Sequence, residues 1–394
     1  MVSATNLTTP SGPIRLGMVG GGQGAFIGAV HRIAARLDGD FVLVAGALSS
    51  DPDRARASAA ELGLDPERGY GSFEAMAEAE AARPDGIEAV AIVTPNHMHF
   101  PAAKAFLEAG IHVICDKPLT SNPGDARALA AAVEKSGRLF ILTHNYTGYP
   151  MVRHAREMVQ SGQLGDIRVV QAEYPQDWLT TRLEASGQKQ AAWRTDPAKS
   201  GAGGATGDIG THAYNLVRFV TGLELDALSA DLTAFVEGRL LDDNAHVMLR
   251  FRAKGGAPAA RGMLWASQVA PGNENALRLR VYGTKGGLEW EQEQPNHLWF
   301  TPFGQEKRLI TRAGAGAGPA AARVSRVPSG HPEGYLEGFA TIYAEAARAI
   351  RAARTGAAPD PAVTYPTITD GTEGVAFVEA CVKSSKNDAA WTRL

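Results

Sequence analysis

The sequence predicts an α/β protein of two domains, the first built on a parallel sheet and the second on a mostly antiparallel one, and three observations carry that prediction. Over residues 14–145, short runs rich in Val, Ile and Leu alternate with Ala-rich stretches of helical period, and strand–helix–strand order implies a parallel sheet. From residue 146 onward the strand-like segments follow one another across turns instead, the texture of an antiparallel sheet. Finally, 394 residues with 44% hydrophobic and 21% charged content can bury more than one core.

Residues 1–13, "MVSATNLTTPSGP", are polar, lack an apolar signal region and are expected to form a disordered lead. Ile14 to Val19, Phe41 to Leu48, Ala89 to Val93, His112 to Cys115 and Leu139 to Leu142 read as the parallel strands. Arg54 to Leu62, Pro101 to Ala109 and Ala126 to Lys135 read as helices between them. A helix over Tyr149 to Gln160 opens the second domain, residues 146–394. Its strands are expected near Asp166 to Tyr174, Ala227 to Val236, Ala245 to Phe251, Gly262 to Gln268, Ala276 to Tyr282 and Leu298 to Phe300. "RAGAGAGPAAA" at 312–322 reads as a flexible loop, and helices over Gly334 to Arg351 and Thr372 to Lys383 are expected to pack back on the body. No internal repeat is visible.

Bulk properties narrow the function classes. A net charge of −3 and a pI near 6.4 give no electrostatic case for nucleic acid or an anionic membrane surface, so a small-molecule partner is expected. No run approaches the roughly 18 apolar residues of a membrane span. Cys115 and Cys381 are far apart and without C-x-x-C spacing, so neither a disulfide framework nor a zinc site is indicated, and a reducing cytoplasm fits.

Five short stretches carry chemistry. "VGGGQGAFIG" at 19–28 leaves the first strand; Gly20 and Gly22 supply the G-x-G of a dinucleotide fingerprint, with Ala25 or, after an insertion, Gly28 in the third position. The alternative is a plain strand-to-helix turn. At the tip of the second strand, where an acid would hold the ribose hydroxyls of NAD, stands "LSSDPDR". Ser49, Ser50 and Arg54 would suit a 2′-phosphate; equally, Ser50 and Asp51 would cap the next helix. "VTPNHMH" at 93–99 places Thr94, Pro95 and Asn96 in a strand-to-helix turn beneath a cofactor, with His99 just after it. His97 and His99 have no acid or cysteine nearby to complete a metal set, and no metal is expected. In "HVICDKPLT" at 112–120 a buried strand runs into Asp116 and Lys117, and such a charge pair rarely improves stability, so it points to a task. In "GDIGTHAYNLVRFVTG", Asp208 and His212 stand four apart on a helical pattern, which puts both on one face. A carboxylate beside a histidine would orient the ring and raise its proton affinity; read alone, the pair is also an N-cap and a core histidine.

The glycine-rich turn at 20–28, "TPNHMH" at 94–99, "DKP" at 116–118 and "GDIGTH" at 207–212 resemble, in this order, the glucose-fructose oxidoreductase and inositol dehydrogenase family, Gfo/Idh/MocA, over nearly the whole chain. The resemblance implies an N-terminal Rossmann domain, a C-terminal α/β domain with an open, mostly antiparallel sheet, an NAD(P) cofactor and a homo-dimer or homo-tetramer. It makes Lys117 the match of the catalytic lysine of an E-K-P motif, and Asp208 and His212 the match of a D-x-x-x-H pair. Asp116 stands where the motif has Glu, one methylene shorter. Tyr146, Trp178, Trp193 and Arg194 are further pocket candidates, since aromatic platforms and Arg suit a polyhydroxylated ring; each also reads as a packed or surface residue. His331 and Glu333 open a late helix, as caps or as substrate contacts. The expected function is a cytoplasmic NAD(P)-dependent dehydrogenase of a sugar, sugar derivative or cyclitol, with an NAD-dependent glycosidase or a non-catalytic cofactor sensor as the alternatives.

Overall fold

The structure, a computed structural model, describes residues 12–253, 255–256 and 258–394; all but the last two residues of the expected lead lie outside the described residues. The first sheet is made by β1 (Ile14–Gly20), β2 (Phe41–Ala47), β3 (Ala89–Val93), β4 (His112–Cys115) and β5 (Phe140–Leu142), all parallel, in the order β2-β1-β3-β4-β5. Helices α1 (Phe26–Leu37), α2 (Pro52–Glu61), α3 (Phe73–Ala82), α4 (His99–Glu108) and α5 (Pro123–Ser136) connect them. β3 and β4 are buried on both faces, which is why they read as unbroken apolar runs. Local signals start the helices. Asp51 accepts the N–H of Arg54 at 2.9 Å and Asn122 that of Asp125 at 2.9 Å, each followed by a proline at the first helical position. The carboxyl ends of β1, β3, β4 and β5 therefore deliver "GGGQGA", "TPNH", "DKP" and "THNY" to one edge of the sheet, where open α/β sheets bind ligands.

The second sheet follows α6 (Pro150–Gln160). It contains β6 (Ile167–Pro175), β7 (Leu225–Thr233), β8 (Asn244–Phe251), β9 (Arg261–Ser267), β10 (Arg278–Gly283), β11 (Gly286–Glu291), β12 (His297–Pro302), β13 (Arg308–Thr311) and β14 (Thr392–Arg393). Its order is β13-β12-β11-β10-β6-β9-β8-β7-β14, and only the central β6–β9 pair is parallel. Between β6 and β7 the chain makes α7 (Lys189–Arg194), α8 (Pro197–Ser200), a π-helical turn at Thr206–Gly210 and α9 (Thr211–Thr221). One face of the sheet buries Val170, Val247, Leu249 and Leu264 against Met151 and Met158 of α6 and Leu216 and Val217 of α9. Each such side chain contributes about 1.5–3 kcal/mol by leaving water. Val169, Met248, Met263 and Trp299 stay exposed.

Two features depart from the sequence reading, whereas the late helices pack back on the body as expected. Helix α3 and strands β11 and β13 were not foreseen. The segment expected as a flexible loop is instead held from within: Arg312 is buried, pairs with Glu333 and donates to the carbonyls of Val327 and Pro328, and Pro319–Ala322 is a short helix, α10. The last two helices, α11 (Tyr335–Thr355) and α12 (Ile368–Ser385), return to the first sheet. Phe339, Ile342, Tyr343 and Ile350 of α11 share one apolar cluster with Ile14, Leu16 and Met18 of β1 and Ile141 of β5, while Phe377 of α12 stacks on Tyr214 of α9 with centroids 4.4 Å apart.

Candidate active site

A cavity of about 1090 Å³ runs from the glycine-rich turn to the inner end of the second sheet, with Lys117 midway. At its first end the chain turns at Gly20 with φ +76°, a conformation open mainly to glycine. Gly28 does not reach the cavity. A Cβ there would lie 2.4 Å from the Cα of Gly21, so its role is to let α1 approach the turn. Ala25 gives α1 no side-chain cap, and the free N–H groups of its first turn face an anion's place. Thr94 Oγ1, His97 Nδ1 and Asn145 Nδ2 are buried without a partner among the described residues, and all three residues line the cavity. Unfilled donors and acceptors beside a backbone cradle fit a dinucleotide.

Ser49, Ser50 and Arg54 line the cavity beyond β2, and the cap of α2 is Asp51 alone, its own N–H donating to Ser49 Oγ at 3.1 Å. Pro95 lines it as well. Asn96 also does, and its side-chain amide donates to Ser200 O at 3.1 Å, tying the first domain to the end of α8. His99 lies behind the wall, its ring nitrogens 2.7 Å from Pro118 O and 2.9 Å from Thr94 O, and braces the two turns against each other. Asp116 accepts from the N–H of Lys117 at 2.9 Å and from Thr143 Oγ1 at 3.0 Å. The shorter side chain thus folds back on its own turn and does not bind the lysine ammonium.

Lys117 Nζ reaches across to the π-helical turn, donating to Asp208 Oδ1 at 2.9 Å and Asp208 O at 2.7 Å. Arg194 Nε at 3.1 Å and Gln268 Nε2 at 3.0 Å take Asp208 Oδ2. Burial on its own would raise the Asp208 carboxyl, but Lys117 and Arg194 hold it well below the usual carboxylate range. This corrects the expectation that Asp208 orients His212. The π turn breaks the simple four-residue register, Asp208 is claimed by remote cations, and His212 has a single hydrogen-bond partner among the described residues, His144, with Nδ1 atoms 3.5 Å apart. The proton affinity of His212 is lowered instead of raised, by burial first and then by Lys117 and His144.

Around His212 stand Tyr146, at 4.8 Å between ring centroids, and Tyr174, whose hydroxyls bond each other; Tyr174 also donates to Asn275 Oδ1 at 2.7 Å. The Arg194 guanidinium lies 4.2 Å from the Trp193 centroid and 5.9 Å from that of Trp178, so all four sequence-read pocket candidates meet here. His331 and Glu333 do not line the cavity.

Comparison with known proteins accounts for this architecture. A model of the "Oxidoreductase family, NAD-binding Rossmann fold" matches residues 14–155, and one of the "GFO/IDH/MocA C-terminal domain" matches residues 152–289. The chain belongs to the Gfo/Idh/MocA family. Among solved structures, an oxidoreductase from Sinorhizobium meliloti is 64% identical, with a TM-score of 0.89 over 97% of this chain and 100% of that one. An inositol dehydrogenase homolog from Azotobacter vinelandii, complexed with NADH and myo-inositol, is 36% identical with a TM-score of 0.89 over 98% of both chains. Levoglucosan dehydrogenase from Pseudarthrobacter phenanthrenivorans is 29% identical over 72% of this chain and 75% of that protein.

As a Gfo/Idh/MocA member the protein is an oxidoreductase whose first domain binds a nicotinamide dinucleotide, NAD(P). Among the described residues no group of His, Cys, Asp or Glu has a metal-holding arrangement, and no helix is long and apolar enough to cross a membrane. Sequence reading missed His144, Asn145, Tyr174, Gln268 and Asn275. The first two follow β5 at the ligand edge, a position that flags them once the sheet is parallel; Gln268 and Asn275 come from strand ends remote in sequence and carry no such signal.

Proposed function

We propose that the protein is an NAD(P)-dependent dehydrogenase acting on a secondary hydroxyl of a sugar, sugar derivative or cyclitol, in the cytoplasm. One observation carries the reading: Lys117, Arg194, Asp208 and His212, from three remote segments, converge on the same cavity as the dinucleotide turn. Gly20, Gly22 and Ala25 would take the pyrophosphate, Ser49, Ser50 and Arg54 the adenosine ribose, and Thr94, Pro95, Asn96 and Asp116 the nicotinamide half. When bound, the nicotinamide ring supplies the acceptor for the hydride that leaves the carbinol carbon.

The chain's own residues do the remainder. His212 is unprotonated at neutral pH, because burial, Lys117 and His144 all disfavour its charge, and it accepts the hydroxyl proton. The ammonium of Lys117 stabilises the developing alkoxide. Of its three N–H groups, two are occupied by Asp208 and the third is free for the substrate oxygen. Asp208 sits between two cations, so the cluster keeps one excess positive charge where the alkoxide forms. Arg194 stacked on Trp193, with Trp178 behind, offers a platform for a polyhydroxylated ring. The neighbour holding myo-inositol and the relative named for levoglucosan support that substrate class.

The test is a panel of inositols, pyranoses, glycosides and short hydroxy acids with NAD and with NADP, read by cofactor absorbance. Net cofactor reduction with ring polyols or sugars is expected; turnover confined to hydroxy acids or amino acids overturns the proposal, and glycoside cleavage without net reduction favours a glycosidase. The exposed row of Val169, Met248, Met263 and Trp299 supports a homo-dimer or homo-tetramer, and a strict monomer in light scattering at micromolar concentration would refute that part.

A further inference from the structure

We propose that His144 is a positioning residue that holds His212 in the tautomer able to take a proton from the substrate. The inference rests on the dehydrogenase reading and adds a residue to it. A histidine base works through one ring nitrogen, and which nitrogen is free is set by the hydrogen bond the other one makes. Elsewhere a carboxylate usually makes that bond. Here the carboxylate at hand, Asp208, is saturated by Lys117, Arg194 and Gln268 and leaves His212 alone.

His144 takes its place. It follows β5, is buried, and presents Nδ1 to His212 Nδ1 at 3.5 Å, with the rings edge to face, 5.3 Å between centroids at 82°. Its backbone is fixed on both sides: its N–H donates to Leu142 O at 3.0 Å and its carbonyl accepts from Thr147 Oγ1 at 2.8 Å. Burial pushes His144 down to about 3, with Lys117 and Arg218 adding to it, so both imidazoles are neutral at neutral pH.

Two neutral imidazoles meeting through Nδ1 share one proton. If His212 carries it, Nδ1–H donates to His144, and Nε2 of His212 has its lone pair free. If His144 carries it, Nε2 of His212 bears hydrogen and cannot act as a base. The first arrangement is the one proposed, because only that one leaves Nε2 of His212 a lone pair with which to accept the hydroxyl proton. The remaining titratable groups around the pair are Asp208, Tyr146, Tyr174 and Arg218. The tyrosines are pushed up by burial, so neither competes for the proton near neutrality.

The experiment compares His144→Gln, whose amide oxygen still accepts a hydrogen bond, with His144→Leu, which offers no acceptor. Leucine should lower kcat roughly 10- to 100-fold, in the direction of other wrong-tautomer variants, with KM and the NAD(P)H dissociation constant changed less than about threefold, and glutamine should restore most of the loss. Nitrogen-15 spectra of histidine-labelled protein without substrate, with His212 assigned from its Asn variant, should show the proton on Nδ1 in the wild type. They should show the same in the Gln variant and mixed tautomers in the Leu variant. His212 protonated on Nε2 in the wild type overturns the proposal, as does a folded Leu variant with unchanged kcat or a Gln variant as slow as Leu. If the wild type turns over no ring polyol, the dehydrogenase reading fails, while the wild-type spectrum still decides the tautomer, even should the variants not fold.

Discussion

Two carboxylates in this molecule, the buried Glu80 and the partly buried Asp208, are each ringed by donors and have different consequences. Glu80 on α3 accepts from Arg68 through both Nε and Nη2, from Tyr70 OH at 2.8 Å and from Ile87 N at 3.0 Å. Those donors lie 12, 10 and 7 residues away in sequence, and the side chain is 0% exposed. Asp208 draws its donors from 14, 60 and 91 residues away and keeps 16% exposure, with Lys117 at 14% and Arg194 at 25%. Around Glu80, donors and carboxylate close on one another, and the result is a staple for the turn that leads into β3. Around Asp208, Lys117 and Arg194 line a cavity, and the Lys117 ammonium makes two of its three possible hydrogen bonds to Asp208. Spare hydrogen-bonding capacity, not charge, separates the two, and on the proposed function it is what leaves the second available to a substrate.

That contrast breaks or sharpens on substitution. Glu80→Ala leaves the buried Arg68 with only the more exposed Asp85, 3.7 Å away, as its counter-ion, and should lower unfolding free energy by about 3–5 kcal/mol while turnover per folded molecule stays as it was; denaturant melts and active-site-normalised rates check both halves. Asp208→Asn should do the reverse, lowering kcat by roughly 10²–10³, because Lys117 loses its anchor and its alignment on the alkoxide, with little change in the melt or in NAD(P)H affinity. A folded Glu80→Ala protein that is slow, or an Asp208→Asn protein that is unstable, would erase the distinction.

Acid should separate the two kinds of buried group further. Burial pushes His31 and His112 down to about 4 and His144 to about 3, so below pH 6.5 the unfolded chain binds protons that the native one refuses. Stability therefore falls as pH drops from about 6.5 to 4, each histidine contributing about 1.4 kcal/mol per pH unit. Asp208, held low, contributes stability above the ordinary carboxylate range that is lost only at still lower pH. Urea midpoints that stay level between pH 7 and pH 5 would contradict this. The smallest effect is at the far end of the cavity: Arg54→Ala should weaken NADP several-fold and NAD hardly at all, since only NADP offers a phosphate to a guanidinium. Equal weakening of both would make Arg54 a helix residue and no more.

How far the sequence spoke depended on what each residue had to satisfy. β3 and β4 were legible to the residue because both faces are buried and composition alone marks them. Helix α3, "FEAMAEAEAA", hid because alanines and glutamates blur its buried face, and β11 and β13 because they are short, glycine-led or near the sheet edge. At the site, Lys117, Asp208 and His212 were legible as residues that meet in one cavity. Their pairing was not, since spacing along a helix cannot report a cation arriving from 91 residues away or a π turn that changes the register. His144 sits in a four-residue polar run that looks like an ordinary loop.

The return of α11 onto the first sheet has a consequence for synthesis on the ribosome. β1 to β5 are complete once residue 142 has emerged, yet the apolar cluster they share with Phe339, Ile342, Tyr343 and Ile350 cannot close until residue 350 follows. At about 5–20 residues per second, that face stays bare for on the order of ten to forty seconds in every nascent chain. Ribosome-bound chains halted near residue 200 should accordingly bind chaperone or hydrophobic dye strongly, and chains released after residue 355 should not. Equal binding at both lengths would mean that the first sheet shields itself.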